Sequence, residues 1–260
     1  MLIIDKIVAH KQKEVALKKG LIPVSQLENS VLFQRETTSL AAKLKESKSG
    51  IIAEHRRRSP SRSVINQNLN VFDVAKGYEN AGACGMSVLT DSKYFGGSLH
   101  DLLIARASCN LPLLRKEFTI DEYQIIEAKS FGADIILLIA SVLTRLQIKQ
   151  FSDLAKSLQL EILLEVHNEE ELNRSMMPDI DMLGVNNRNL KTFVVSLEAS
   201  KKLASKIPVE FVKVSESGIS SIEAIKELKT YGYQGFLIGE NFMKTDNPGE
   251  SAKEFINKLI

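Results

Sequence analysis

Several short apolar runs in this chain stop on a residue that can carry proton chemistry. Ile51-Ile52-Ala53 ends on Glu54, Leu111-Pro112-Leu113-Leu114 on Arg115 and Lys116, Ile162-Leu163-Leu164 on Glu165, and Met182-Leu183-Gly184-Val185 on Asn186. An unpaired charge at the end of a packed strand is costly, so a regular series of them points to a site built where strand ends converge. Side chains alternate along a strand, so if Glu54 faces the interior, Arg56 does too and His55 faces the opposite layer. A rim salt bridge would explain Glu54 and Arg56 alone. Lys116 and Glu165, arriving at the same mouth from other strands, weaken that explanation.

Two further features lie in loops. The segment 56–62 carries Arg56, Arg57, Arg58 and Arg62 beside serines and Pro60. Such a run is either a solvated face or, on a loop bordering the site, a grip for an anionic substrate. Ser217-Gly218-Ile219 and Ile238-Gly239-Glu240 follow the last two apolar runs. In β/α barrels the loops after these two strands commonly cradle a phosphate, so the pair of glycines points to a phosphorylated ligand. His10, His55, His100 and His167 show no catalytic or metal-like spacing and are read as structural, and no ligand set for a metal is expected.

These positions need elements to carry them. Strand-like runs are expected at 50–53, 85–89, 111–115, 135–139, 161–165, 182–185, 210–214 and 235–238. Helical periodicity separates them at 71–80, 99–107, 121–131, 142–158, 169–176, 197–206, 221–231 and 250–259. Continuous apolar strands alternating with helices imply a parallel sheet covered by helices, and eight such units favour a closed (β/α)8 (TIM) barrel over an open sheet. Ser221 with Glu223, and Asp121 with Glu122, supply helix-start signals. About residues 1–48 precede the first unit, and the chain is read as one barrel domain with this helical N-terminal extension. Within it Ile4, Ile7 and Val8 share a helical face, Ser25 and Glu28 match a capping box, and Leu40, Ala41 and Leu44 form a second apolar stripe. Packing over the barrel is the expected role of this segment, ahead of covering the site.

The bulk properties agree with such a domain. The chain has 260 residues, 44% hydrophobic and 25% charged, with a net charge of +2, which gives no sign of a nucleic-acid surface. Cys84 and Cys109 lie outside any metal-like spacing and are read as buried thiols of a cytoplasmic protein. Neither a signal peptide nor a membrane span is expected. The sequence leaves the oligomeric state open and is compatible with a monomer.

At this point the chain resembles the indole-3-glycerol-phosphate synthase family. The resemblance is carried in order by Ile52-Ala53-Glu54 with Ser59-Pro60-Ser61, Leu89-Thr90-Asp91 with Phe95-Gly96-Gly97-Ser98, and Leu114-Arg115-Lys116-Glu117-Phe118. It continues through Glu165-Val166-His167, 184–190 (Gly-Val-Asn-Asn-Arg-Asn-Leu), Glu216-Ser217-Gly218-Ile219 and Leu237-Ile238-Gly239. It implies a substrate, 1-(2-carboxyphenylamino)-1-deoxyribulose 5-phosphate, that is ring-closed with loss of carbon dioxide and then of water, without metal or organic cofactor. It implies Lys116 as the acid of ring closure, Glu54 and Glu165 as the candidates for the base and the acid that dehydration needs, and Asn186 and Ser217 as residues that orient hydroxyls. Arg56 and Glu216 join the substrate-binding set. Phosphate is expected at Gly218 and Gly239, with Ser59 and Arg188 close by. Phe95, Phe118, Leu137 and Leu190 match positions that wall the anthranilate ring, although Leu137 and Leu190 also fit plain core packing.

Two departures from the family pattern stand out. Arg56 occupies the position of a usual lysine; it keeps the charge and can grip a carboxylate with two N–H groups, but a guanidinium is a poor proton donor. Ser63 replaces a common glycine of the same loop. The residues admit two other readings: a phosphoribosylanthranilate isomerase-like enzyme, which would want a Cys/Asp acid–base pair at strand ends, and a barrel that binds a phosphorylated ligand without turning it over.

Overall fold

Every expected strand forms, and the eight close on themselves. In the computed structural model, which describes residues 2–60, 64–66, 68–190 and 192–260, β1 (Ile51–His55), β2 (Gly85–Leu89), β3 (Leu113–Lys116), β4 (Ile135–Ile139), β5 (Glu161–Val166), β6 (Met182–Asn186), β7 (Val212–Glu216) and β8 (Gly235–Ile238) pair in sequence order. All the pairings are parallel, and β1 closes the barrel against β8 through Ile51–Phe236, Ile52–Leu237 and Ala53–Ile238.

Alternation sorts each strand. Ile52, Leu114, Leu137, Leu163, Met182, Val212, Val214 and Leu237 pack together inside the barrel. Ile51, Ala53, Val88, Leu113, Ile136, Leu164, Val185 and Phe236 pack outward beneath the helices. The one-in, one-out period leaves Glu54, Lys116, Glu165, Asn186 and Glu216 as the last inward residues of their strands.

Helices α4 (Val71–Asn80), α5 (Leu99–Ser108), α6 (Glu122–Ser130), α7 (Arg145–Ser157), α8 (Glu169–Ser175), α9 (Glu198–Ala204), α10 (Ile222–Thr230) and α12 (Pro248–Leu259) follow the strands. Local chemistry sets their starts. Thr144 and Gln147 form a capping box on α7, so this helix starts three residues later than the apolar periodicity suggests. The last helix starts earlier than expected, at Pro248 behind an Asn247 cap, because proline is at ease in a first turn. Ser221 caps α10 by accepting from the Ala224 N–H. A short helix, α11 (Glu240–Met243), follows β8 directly and was not foreseen.

The extension forms α1 (Ile3–Leu21), α2 (Val24–Glu28) and α3 (Leu40–Glu46). The expected capping box at Ser25 does not form: α2 begins behind Pro23, which leaves Ser25 inside the first turn. On α3, Leu40, Ala41 and Leu44 close the end of the barrel where the strands begin, packing with Cys84, Ile135 and Val212. Among the described residues, no helix is long and apolar enough to cross a membrane.

Candidate active site

The open end of the barrel holds a cavity of about 360 Å³, the size of a small-molecule site. The whole candidate catalytic and substrate-binding set lines it: Glu54, Arg56, Ser59, Phe95, Lys116, Phe118, Leu137, Glu165, Asn186, Arg188, Leu190, Glu216, Ser217, Gly218 and Gly239. Of the loop motif after β1, Ser61, together with Arg62 and Ser63, lies outside the described residues.

At the floor, the Lys116 ammonium donates to Glu216 Oε2 and lies 3.4 Å from Glu165 Oε2. Glu165 Oε1 accepts from Asn186 Nδ2 at 3.1 Å, and Glu54 Oε2 accepts from the Ser87 hydroxyl at 3.3 Å. Two glycines make room for these acids. A Cβ on Gly184 would stand 2.3 Å from Glu216 Oε1, and one on Gly239 would stand 2.7 Å from Glu54 Oε1. Glycine on β6 and after β8 therefore lets buried carboxylates from neighbouring strands share the mouth.

These neighbours pull the charges apart. Burial alone would lower the Lys116 ammonium, but Glu216, Glu165 and Glu54 hold it above the ordinary lysine value. Burial raises Glu165, yet Lys116 and then His167 outweigh it and leave this carboxyl at about 2. Glu216 is raised by burial and by Glu165 and Glu54 more than Lys116 lowers it, and it settles at about 7. One acid of the pair around Lys116 is thus fixed as a carboxylate, while the other is poised to change protonation near neutrality.

Positive charge lines the rim. Arg56 Nη1 lies 3.5 Å from Glu54 Oε1, and Arg56 Nη2 lies 3.9 Å from Glu240. Arg188 is lowered by burial and by the nearby Arg56 guanidinium, so two cations converge on one side of the mouth. The other described arginines of the run do different work. Arg57 grips Asp101 at 2.5 and 2.8 Å, and Arg58 donates to the carbonyls of Ser92 and Lys93, so both pin the loop after β2. Beyond β7, Ser217 at φ +67° precedes Gly218 at φ +77°, a turn that costs a serine some strain. The apolar wall on the other side includes Phe95 and Phe118, with ring centroids 5.9 Å apart.

Three features differ from what the sequence ranked first. Ile3, Ile4 and Ile7 of α1 line the cavity, so the extension covers the site as well as packing on the barrel. Their i, i+4 spacing marked a buried face but not what it would face. His167 is not a bystander: its Nε2 lies 3.3 Å from Glu165 Oε1 and its Nδ1 3.1 Å from Glu171, and these acids raise it to about 10 against the pull of burial. Glu216 contacts Lys116 directly because β7 runs two residues further than expected. Among the described residues, no cluster of His, Cys, Asp and Glu has the geometry of a metal site.

A family model described as "Indole-3-glycerol phosphate synthase" matches residues 4–255. An indole-3-glycerol phosphate synthase from Bacteroides thetaiotaomicron is 46% identical over 257 residues, 99% of this chain and 98% of that protein. One from Polaromonas naphthalenivorans is 41% identical over 260 residues, 98% of this chain and 99% of its own length. Among solved structures, 3-hexulose-6-phosphate synthase from Salmonella typhimurium superposes with a TM-score of 0.64 over 81% of this chain and 98% of its own. At 12% identity that likeness concerns the fold alone.

Proposed function

This chain belongs to the indole-3-glycerol phosphate synthase family, and on that footing we propose how its residues divide the reaction among themselves. The reaction converts 1-(2-carboxyphenylamino)-1-deoxyribulose 5-phosphate into indole-3-glycerol phosphate, carbon dioxide and water. An aromatic carbon attacks the ketone, the ring loses its carboxylate as carbon dioxide, and the new hydroxyl leaves as water.

The aromatic carbon is a weak nucleophile, so the ketone oxygen must receive a proton as the bond forms. Lys116 supplies it. A buried ammonium flanked by Glu165 and Glu216 is the observation that carries this reading. Glu165, fixed as a carboxylate, keeps Lys116 charged and oriented. Dehydration then needs a base for a carbon-bound proton and an acid for the departing hydroxyl. Glu165, held as a carboxylate, fits the base and Glu54 the acid, Asn186 and Ser217 orient hydroxyls, and Glu216, poised near neutrality, returns a proton to Lys116.

The ring sits between Phe95, Phe118 and Leu190 over Leu137. The phosphate sits at Gly218 and Gly239 with Ser59 and Arg188, and Arg56 holds the carboxylate until it is released. The whole chain works as one domain, with about residues 1–48 as its helical extension. A cytoplasmic setting is supported by Cys84 and Cys109, which are buried and free.

The test is direct. The chain has no tryptophan, so an indole product excited beyond the absorption of the five tyrosines is read without competing indole signal from the protein. Purified protein given the carboxyphenylamino-deoxyribulose phosphate should generate indole fluorescence and release one carbon dioxide per indole. Saturable binding with no indole would overturn the reading in favour of a binding protein.

A further inference from the structure

Lys11 lies on the inner face of α1, 1% exposed, and its ammonium faces carboxylates from three elements. Glu14, one turn along α1, accepts at 2.8 Å. Asp91, just past β2, and Glu117, just past β3, each lie 3.2 Å away. Burial would lower this ammonium, but Glu117, Glu14 and Asp91 together raise it, so it stays charged.

The two distant acids already have work to do. Asp91 Oδ1 accepts from the backbone N–H groups of Tyr94 at 2.7 Å and Phe95 at 3.1 Å. Glu117 Oε1 accepts from the Phe118 N–H at 2.9 Å, and its Oε2 accepts from the Thr90 hydroxyl at 2.8 Å. The carboxylates that anchor Phe95 and Phe118 thus share one cation. That cation comes from the helix whose Ile3, Ile4 and Ile7 line the same cavity.

We propose that Lys11 is a positioning residue for the aromatic half of the substrate. Through Asp91 and Glu117 it sets the separation of the Phe95 and Phe118 rings, and it seats the isoleucines of α1 across from them. The proposal rests on the reading that this wall receives the anthranilate ring. Removing Lys11 leaves two buried carboxylates without their shared partner, so the loops bearing the phenylalanines must shift. Lys116, Glu165 and Glu216 do not touch Lys11, so the chemical step should be spared.

The experiment compares the full-length chain with its Lys11→Met and Lys11→Arg variants. Two readouts are used: steady-state indole formation, and equilibrium binding of anthranilate, which carries the ring without the sugar phosphate. Lys11→Met should raise KM about tenfold and weaken anthranilate to the same extent, the loss of one aromatic contact, with kcat within about twofold. Inhibition by inorganic phosphate should be unchanged, and Lys11→Arg should recover most of the loss.

A lower melting temperature with unaltered KM and anthranilate affinity would overturn the proposal and leave Lys11 a plain anchor. A fall in kcat alone would overturn it too, by routing the effect through Lys116. If Lys11→Met does not fold, adding Asp91→Asn and Glu117→Gln removes the unpaired charges but keeps a side-chain oxygen to accept from the backbone N–H groups of Tyr94, Phe95 and Phe118, and the same KM rise is expected. Absence of turnover in the unmodified chain would defeat the assigned reaction, whereas the anthranilate titration would still decide the role of Lys11.

Discussion

The two ends of the barrel handle buried acids in opposite ways. Where the strands begin, each acid is matched by fixed donors. Asp134 accepts from the Thr38 N–H at 2.8 Å and Arg35 at 2.6 Å through one oxygen, and from the Leu113 N–H at 2.8 Å and Arg106 at 3.0 Å through the other. Glu161 accepts from the N–H groups of Leu40 and Ala41, and Asp181 from that of Ile162 while it pairs with Lys156. Where the strands end, Glu54, Glu165 and Glu216 crowd one ammonium, and Glu216 Oε1 has no hydrogen-bond partner among the described residues. Acids saturated by backbone donors hold the fold; acids that outnumber their donors are kept at a cost in stability, which is the mark of a working site.

That contrast breaks if a change at one end has the effect expected of the other. Lys116→Ala should lower turnover by about a thousandfold or more, since it removes the proposed proton donor and the charge that holds two carboxylates, while the protein remains folded. Near-normal indole formation would remove Lys116 from the mechanism. Asp134→Ala should do the reverse. Arg35, Arg106 and two backbone N–H groups lose a fully buried partner, so unfolding in urea should show a loss of about 3–5 kcal/mol. Its kcat/KM per folded molecule should stay within about twofold of the parent.

Glu216→Gln sharpens the comparison, because stability and rate should move in opposite directions. Glu216 sits at about 7 in the folded chain against an ordinary 4.5, so folding favours its protonated form. The cost of ionising it is absent below pH 4.5, grows as pH rises and is complete above about 7. The glutamine variant, a permanent mimic of the neutral acid, should therefore gain stability relative to the parent above pH 7. Its turnover should fall about ten- to a hundredfold, and the limb of the pH–rate profile near 7 should vanish. A profile that keeps that limb would assign it to another group.

Much of this is legible in the sequence. The expected ranges 85–89, 135–139 and 235–238 coincide with β2, β4 and β8, because apolar runs between turn residues have few other ways to be buried. Parity along a strand sufficed to put Glu54 and Arg56 on the cavity and His55 among the helices. What escaped depended on contacts between distant segments. Nothing near Ile3 and Ile4 indicates that they would line the cavity that Leu190 and Phe95 line rather than pack on the outer helices. Likewise, Gly184 reads as an ordinary strand glycine until the Glu216 carboxylate is seen in the space beside it. The arginine run failed as a unit for the same reason, since Asp101 and the Ser92 carbonyl claim two of its members.

Arg56 is the residue whose allegiance between the two kinds of charge is least obvious, and its substitution should have the smallest effect. It sits on the cavity, yet its contacts with acids among the described residues are loose, 3.5 Å to Glu54 and 3.9 Å to Glu240, unlike the tight saturation around Asp134. If it serves to hold the substrate carboxylate, Arg56→Lys exchanges a two-pronged grip for a point charge. KM should then rise about two- to threefold with kcat little changed, because the carboxylate leaves before dehydration begins. If dehydration instead needs an acid at this position, the guanidinium is a poor one, and lysine should speed the final step. Single-turnover traces separate the two outcomes by resolving carbon dioxide release from indole formation. A lag between them that disappears in Arg56→Lys, with a gain of about tenfold in kcat, would show that the arginine limits the last step and belongs among the working charges. Coincident traces in both proteins would make it a binding group.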